Sequence, residues 1–258
     1  MSSSEVGNDQ KARLANLRNW NIAVGILHLA QAVAILALSN GFSIPLVAAV
    51  QSGPPGTALT KTATFFDVRF SWAIAFFLGC AAIDHLAMAT VARGWYERNL
   101  AANINYARWI EYSVSASVMV VLIAMLPGIT NFYAVVAIFA VNAAMILFGL
   151  LMERENQGRN SVTWWPFIFG CIVGIVPWCC IVIALIVSSN QGEGVPGFVY
   201  GIFVSLFVLF NCFALNQWLQ YRRRGRFVNY LYGEKIFLVL SLVAKTLLAW
   251  QVFIGTLN

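Results

Sequence analysis

Apolar residues along this chain gather into seven long runs, each ended by turn residues or charges: 19–38, 66–92, 104–126, 131–152, 162–188, 197–220 and 231–256. Runs of about 20 residues are what a helix needs to cross the hydrocarbon core of a bilayer. A polar start, MSSSEVGNDQKAR, precedes the first run. That run is long and lacks a small-residue cleavage pattern, so it reads as a spanning helix and not as a signal peptide. The one long connection, 39–65, is broken by Gly53, Pro54, Pro55 and Gly56. The flanking segments Phe42–Val50 and Thr57–Thr64 are rich enough in Val, Ile and Thr to form the strands of a hairpin. The pattern predicts an all-α membrane protein, a seven-transmembrane helix bundle occupying 1–258 as a single domain, with a short β-hairpin in the first outer loop.

Composition supports the membrane setting: 60% of the residues are hydrophobic and 10% charged, with a mean hydropathy of +0.76. Soluble domains carry about 25% charged residues. The charges are also unevenly placed. Lys11, Arg13, Arg18, Arg93, Arg98, Arg154, Arg159, Arg222, Arg223, Arg224 and Arg226 fall on one side of the spans, and Lys61 and Arg69 on the other. Short cytoplasmic loops retain Lys and Arg, so the N-terminus is expected in the cytoplasm and the C-terminus outside a cell membrane crossed seven times. The net charge of +6 is then a topology signal. Membrane lipid is the expected surrounding partner, and no nucleic acid is.

The five cysteines all lie in apolar runs and read as packing residues. Two histidines on different helices, with no carboxylate or thiolate at ligand spacing, fall short of a zinc site, so no metal is expected. GxxxxGK[ST], GxGxxG after a strand, HExxH and GxSxG are all missing, and no enzyme is expected.

Lys245 stands mid-way through the last run. A charged lysine at the centre of a spanning helix costs at least about 2.5–3.5 kcal/mol, so it needs a task or a partner. The leading task is covalent, an amine that forms a Schiff base. At about 1.5 Å per residue its α-carbon lies about 20 Å from the cytoplasmic side, with Glu111 and His85 about 10 Å deep and His28 about 14 Å. Glu111 is the favoured counter-charge. Asp84 is its rival, but it neighbours His85 and points about 100° away from it around the helix. Arg108, Glu111 and Ser115 form one polar stripe, and Glu234, Ser241 and Lys245 another. Arg108 itself is expected in a structural ion pair near the membrane boundary.

Three segments carry a family resemblance: Arg108-Trp109-Ile110-Glu111-Tyr112-Ser113, Ser241-Leu242-Val243-Ala244-Lys245, and the pair His28 and His85. With them the whole chain resembles the microbial-type rhodopsins, and its inverted orientation resembles the heliorhodopsin family. The resemblance implies all-trans retinal bound to Lys245 through a protonated Schiff base, with Glu111 as counterion and Ser241 one turn before the lysine. It also implies a hydrated polar cavity bordered by His28 and His85. Ion pumps of similar architecture carry a second carboxylate and a proton donor where this chain has Ser241 and Leu122. That difference favours a light sensor over a light-driven ion transporter; a seven-helix carrier without retinal is the further alternative. His28 and His85 are then candidates to hold a proton temporarily.

For the retinal slot, the sixth run offers Phe203, Phe207, Phe210 and Asn211, whose amide must be satisfied inside hydrocarbon. Tyr112 lies beside the counterion, and Met145 and Gly149 resemble family pocket positions. Pro177 and Trp178 mark an expected kink. A homodimer is implied by the resemblance, with the outer hairpin and the fourth and fifth helices as its contact. Arg222–Arg226 and Arg93–Arg98 are candidate surfaces for a cytoplasmic protein partner.

Overall fold

The computed structural model describes residues 3–192 and 194–257, with side chains from residue 12 onward, so the Lys11 side chain lies outside the described set. Eight α-helices and a two-stranded sheet are present among these residues: α1 (Ser3–Leu38), β1 (Ser43–Val50), β2 (Lys61–Arg69), α2 (Phe70–Ala89), α3 (Arg93–Ala101), α4 (Tyr106–Met125), α5 (Phe132–Glu155), α6 (Trp165–Gln191), α7 (Gly197–Arg222) and α8 (Tyr230–Val252). All but α3 are long and apolar enough to cross a membrane, and the protein is a multi-pass membrane protein. Large apolar side chains such as Ile26, Val33, Trp72, Ile83, Ile172 and Val204 point outward, where lipid takes the place that core takes in a soluble protein.

Helix α1 packs on α2 and α8, α2 on α4, α4 on α5, α5 on α6, and α7 on α8. Span α4 is 67% buried, whereas no other span exceeds 44%. It is therefore the inner helix, and polar residues on it must be satisfied by protein or water. Several helix starts are set by asparagine caps that satisfy the first free N–H groups. Asn105 accepts from the Arg108 amide, Asn131 from those of Tyr133 and Ala134, and Asn229 from that of Leu231.

The hairpin is antiparallel, pairing Ser43 with Arg69 and Val50 with Lys61. Its turn region holds the expected bend: Thr57 N donates to Pro54 O at 3.1 Å, and Gly56 takes φ +96°, a backbone suited to glycine. The second strand departs from expectation, running over Lys61–Arg69 and not Thr57–Thr64. Residues 66–69, read from their apolarity as the start of a helix, are taken up by strand pairing, and Phe65 beside them stacks on Phe132 at 4.5 Å. The Val47 amide donates to Thr130 O at 2.9 Å, tying the hairpin to the α4–α5 connection. Three further differences concern boundaries. From Ser3 onward the polar start belongs to α1; α3 occupies a segment read as loop, burying Tyr96 and Leu100 four residues apart on one face; and α5 continues past 152 to Glu155.

Candidate functional site

Lys245 on α8 and Glu111 on α4 meet in the bundle interior, with Nζ 3.1 Å from Glu111 Oε2 and 2.9 Å from the Ser241 hydroxyl one turn earlier. Both charged side chains are almost wholly shielded from solvent. Nζ also lies 4.9 Å from the Tyr112 ring centre. The Tyr112 hydroxyl donates to Phe237 O at 2.9 Å, which fixes that ring between α4 and α8. Asp84 makes no hydrogen bond to this pair.

The amine opens onto a cavity of about 190 Å³ between α4, α5, α6, α7 and α8. One water needs only about 10–15 Å³ measured this way, so the space suits a far larger guest. Tyr112, Met145, Gly149, Phe207, Phe210, Asn211 and Ser241 all line it. So does Trp178, whose ring stands edge-on to Phe203, Phe207 and Phe210 at 5.3–5.8 Å. Phe203 itself backs this cluster and does not reach the cavity. Gly149 is explained by crowding, because a Cβ there would run into the Trp109 ring; Met145 likewise lies where a Cβ on Gly174 would be. Asn211 donates to Phe207 O in its own helix at 2.8 Å, so its amide is satisfied locally.

Toward the α3 end of the bundle the polar residues change character. His28 is fully buried and its ring stacks near-parallel on that of His85, with centres 5.9 Å apart. Among the described residues, His28 Nδ1 and Nε2, His85 Nε2, Glu111 Oε1 and the Ser115 hydroxyl have no hydrogen-bond partner. Buried polar groups left this way are the usual hosts of internal water. A second cavity of about 20 Å³, room for a single water, is lined by Asn21, Asp84, His85, Tyr96, Asn105, Arg108, Tyr112, Glu234 and Leu238.

Below it, Arg108 is clamped by two carboxylates, at 2.5 Å from Glu153 and in direct contact with Glu234. Glu153 also accepts from the Asn105 amide at 2.9 Å, Trp109 Nε1 at 2.7 Å and the Tyr230 hydroxyl at 3.0 Å. The guanidinium is further sandwiched over the Phe237 and Trp109 rings, at 3.8 and 4.4 Å. Arg108 thus has its ion pair, but the partners lie on α5 and α8 and not one turn away at Glu111. Sequence reasoning missed Glu153, Asn21, Tyr96, Trp109 and Gln217 as members of these sites. A carboxylate immediately after the apolar run 131–152 was the available signal for Glu153.

The sequence model of the heliorhodopsin family matches residues 17–257. The chain belongs to the heliorhodopsin family. The backbone of this heliorhodopsin is also similar to the crystal structure of the transmembrane domain of a rhodopsin phosphodiesterase from Salpingoeca rosetta. The TM-score is 0.63, over 99% of this chain and 91% of that one; at 12% identity the likeness concerns the fold alone. No curated protein matches the chain significantly. Family and fold together make it a retinal-binding protein of photoreceptor type. Its own residues fit that chromophore: a primary amine stands at the wall of a mostly apolar cavity, aromatic side chains line it, and one oxygen of Glu111 has no hydrogen-bond partner among the described residues.

Proposed function

We propose that this heliorhodopsin is a light sensor that carries all-trans retinal on Lys245, with Glu111 as the counter-charge, and that it signals without net ion pumping. The observation that carries the reading is the 3.1 Å contact between Lys245 Nζ and Glu111 Oε2 at the wall of the aromatic cavity. When bound, the chromophore supplies an aldehyde that condenses with the amine, releasing one water, and a polyene that changes shape on absorbing visible light. Glu111 holds the Lys245 nitrogen positive in surroundings that would otherwise strip its proton. Ser241 gives that nitrogen a second acceptor. Trp178, Phe207 and Phe210 restrict the slot, and Met145 on Gly174 and Trp109 on Gly149 close its flank.

His28 and His85 are the groups able to take a proton from this centre and return it. Leu122 is buried among apolar neighbours, and Ser241 cannot act as a second carboxylate, so neither position that carries an acidic group in ion pumps of similar architecture does so here. The N-terminus lies in the cytoplasm, and the output passes to a protein partner there, through Arg222–Arg226 or Arg93–Arg98. Two copies associate through the outer hairpin with α5 and α6. No enzymatic step is included in this reading.

The test is to express the chain with all-trans retinal. A visible band is expected that bleaches with hydroxylamine and vanishes in Lys245→Ala. Illuminated vesicles are expected to show no sustained, uncoupler-sensitive pH change; such a change would establish the transporter instead, and absence of colour would end the photoreceptor reading.

A further inference from the structure

Asn21 on α1 is 2% exposed and lies two turns before His28, near the start of the first apolar run. Its Nδ2 donates to the Leu17 carbonyl at 3.0 Å, and its Oδ1 lies 2.8 Å from His85 Nδ1. These two contacts determine the amide's orientation. A backbone carbonyl can only accept, so the NH2 group must face Leu17 and the oxygen must face His85. An amide oxygen in turn can only accept, so His85 Nδ1 must carry the hydrogen. In the neutral ring that leaves Nε2 bare, and Nε2 is an atom without a protein partner among the described residues. Were Nε2 protonated as well, a buried N–H would face no protein acceptor, which is costly.

Tyr96 lines the same small cavity as Asn21. Burial, and then the Glu234 charge, push that phenol above its ordinary range, so it remains a neutral hydroxyl. Around His85 stand Asp84, Glu234, Arg108 and Tyr112 at the small cavity, with His28 stacked on its face and Lys245 near enough for a direct charge interaction.

We infer that Asn21 is a positioning residue that locks His85 in the Nδ1–H tautomer, so that Nε2 is the atom on which a proton leaving the Lys245 nitrogen comes to rest. The transfer moves one positive charge from Lys245 to the His85 imidazolium and leaves the net charge of the site unchanged. The inference deepens the photoreceptor reading and rests on it for the source of the proton, while the tautomer is a property of the dark protein alone.

The experiment is solid-state NMR of the full chain in lipid bilayers, with all-trans retinal and ¹⁵N-labelled histidine. The chain holds only two histidines, so His85→Phe assigns the signals by subtraction. In the dark, His85 is expected to show a protonated Nδ1 and a bare Nε2. Asn21→Leu removes one buried hydrogen bond and is expected to shift the tautomer ratio toward Nε2–H by about fivefold or more. Asn21→Asp keeps an acceptor at Nδ1 and is expected to keep that nitrogen protonated. A bare Nδ1 in the native protein, or an unchanged ratio in Asn21→Leu, overturns the inference; if Asn21→Leu fails to assemble, loss of the Nδ1 proton in Asn21→Asp does so. A coloured protein with a bare Nδ1 keeps the photoreceptor and discards the role of Asn21, whereas a colourless protein with the expected tautomer does the reverse.

Discussion

A single carboxylate beside a buried amine makes the whole site depend on one contact. Removing one member of a buried pair costs about 3–5 kcal/mol when the other stays charged, and the site avoids part of that cost by shedding a proton. In Glu111→Gln the visible band is therefore expected to move strongly to the red, or the linked nitrogen to lose its proton near neutral pH. Absorbance spectra across a pH series distinguish the two, and an unchanged spectrum would hand the role to Asp84. Lys245 and Glu111 were legible in the sequence because charges inside apolar spans are rare and their estimated depths were compatible. Asn21 was not, because a polar residue near the start of a span looks like a boundary residue until its partner, 64 positions away on another helix, is known.

At the scale of elements, the Arg108 cluster joins α4, α5 and α8 at the end of the bundle that also carries α3. Arg108→Leu leaves Glu153 and Glu234 buried without their cation, and a loss of about 3–5 kcal/mol is expected in denaturation measured in detergent. Replacing all three together, by Arg108→Met, Glu153→Met and Glu234→Leu, is expected to recover most of that loss, since an apolar cluster of similar volume needs no compensating charge. If the triple variant is no more stable than Arg108→Leu, the neutral donors Asn105, Trp109 and Tyr230, stranded without their acceptors, outweigh the ion pairs. The cluster was half legible. Arg108 and Glu234 stood out as charges inside spans, but Glu153 lay beyond the end of an apolar run, and only the continuation of α5 to Glu155 carries it inward. The same weakness of apolarity as a guide displaced the end of β2, because residues such as Phe66 satisfy a strand as readily as a helix.

For the whole molecule, orientation decides what the polar side of the site can communicate with. The small cavity, the Arg108 cluster and the exposed Arg222, Arg223, Arg224 and Arg226 share one end of the bundle, while the hairpin caps the α4–α5 connection at the other. Positive charge at the first end favours its retention in the cytoplasm, and the hairpin, with Lys61 and Arg69 its only cations, is the end expected to cross. An epitope inserted at Ala58, in the exposed hairpin turn, is expected to bind an impermeant antibody on intact cells, and an N-terminal epitope only after permeabilisation. The reverse pattern would place His85, Asn21 and the arginines toward the outside. A proton shift at His85 would then face the external medium, and a signal to a cytoplasmic partner would have to cross the apolar half of the bundle, where Leu122, Ile123 and Leu248 offer no polar group to carry it.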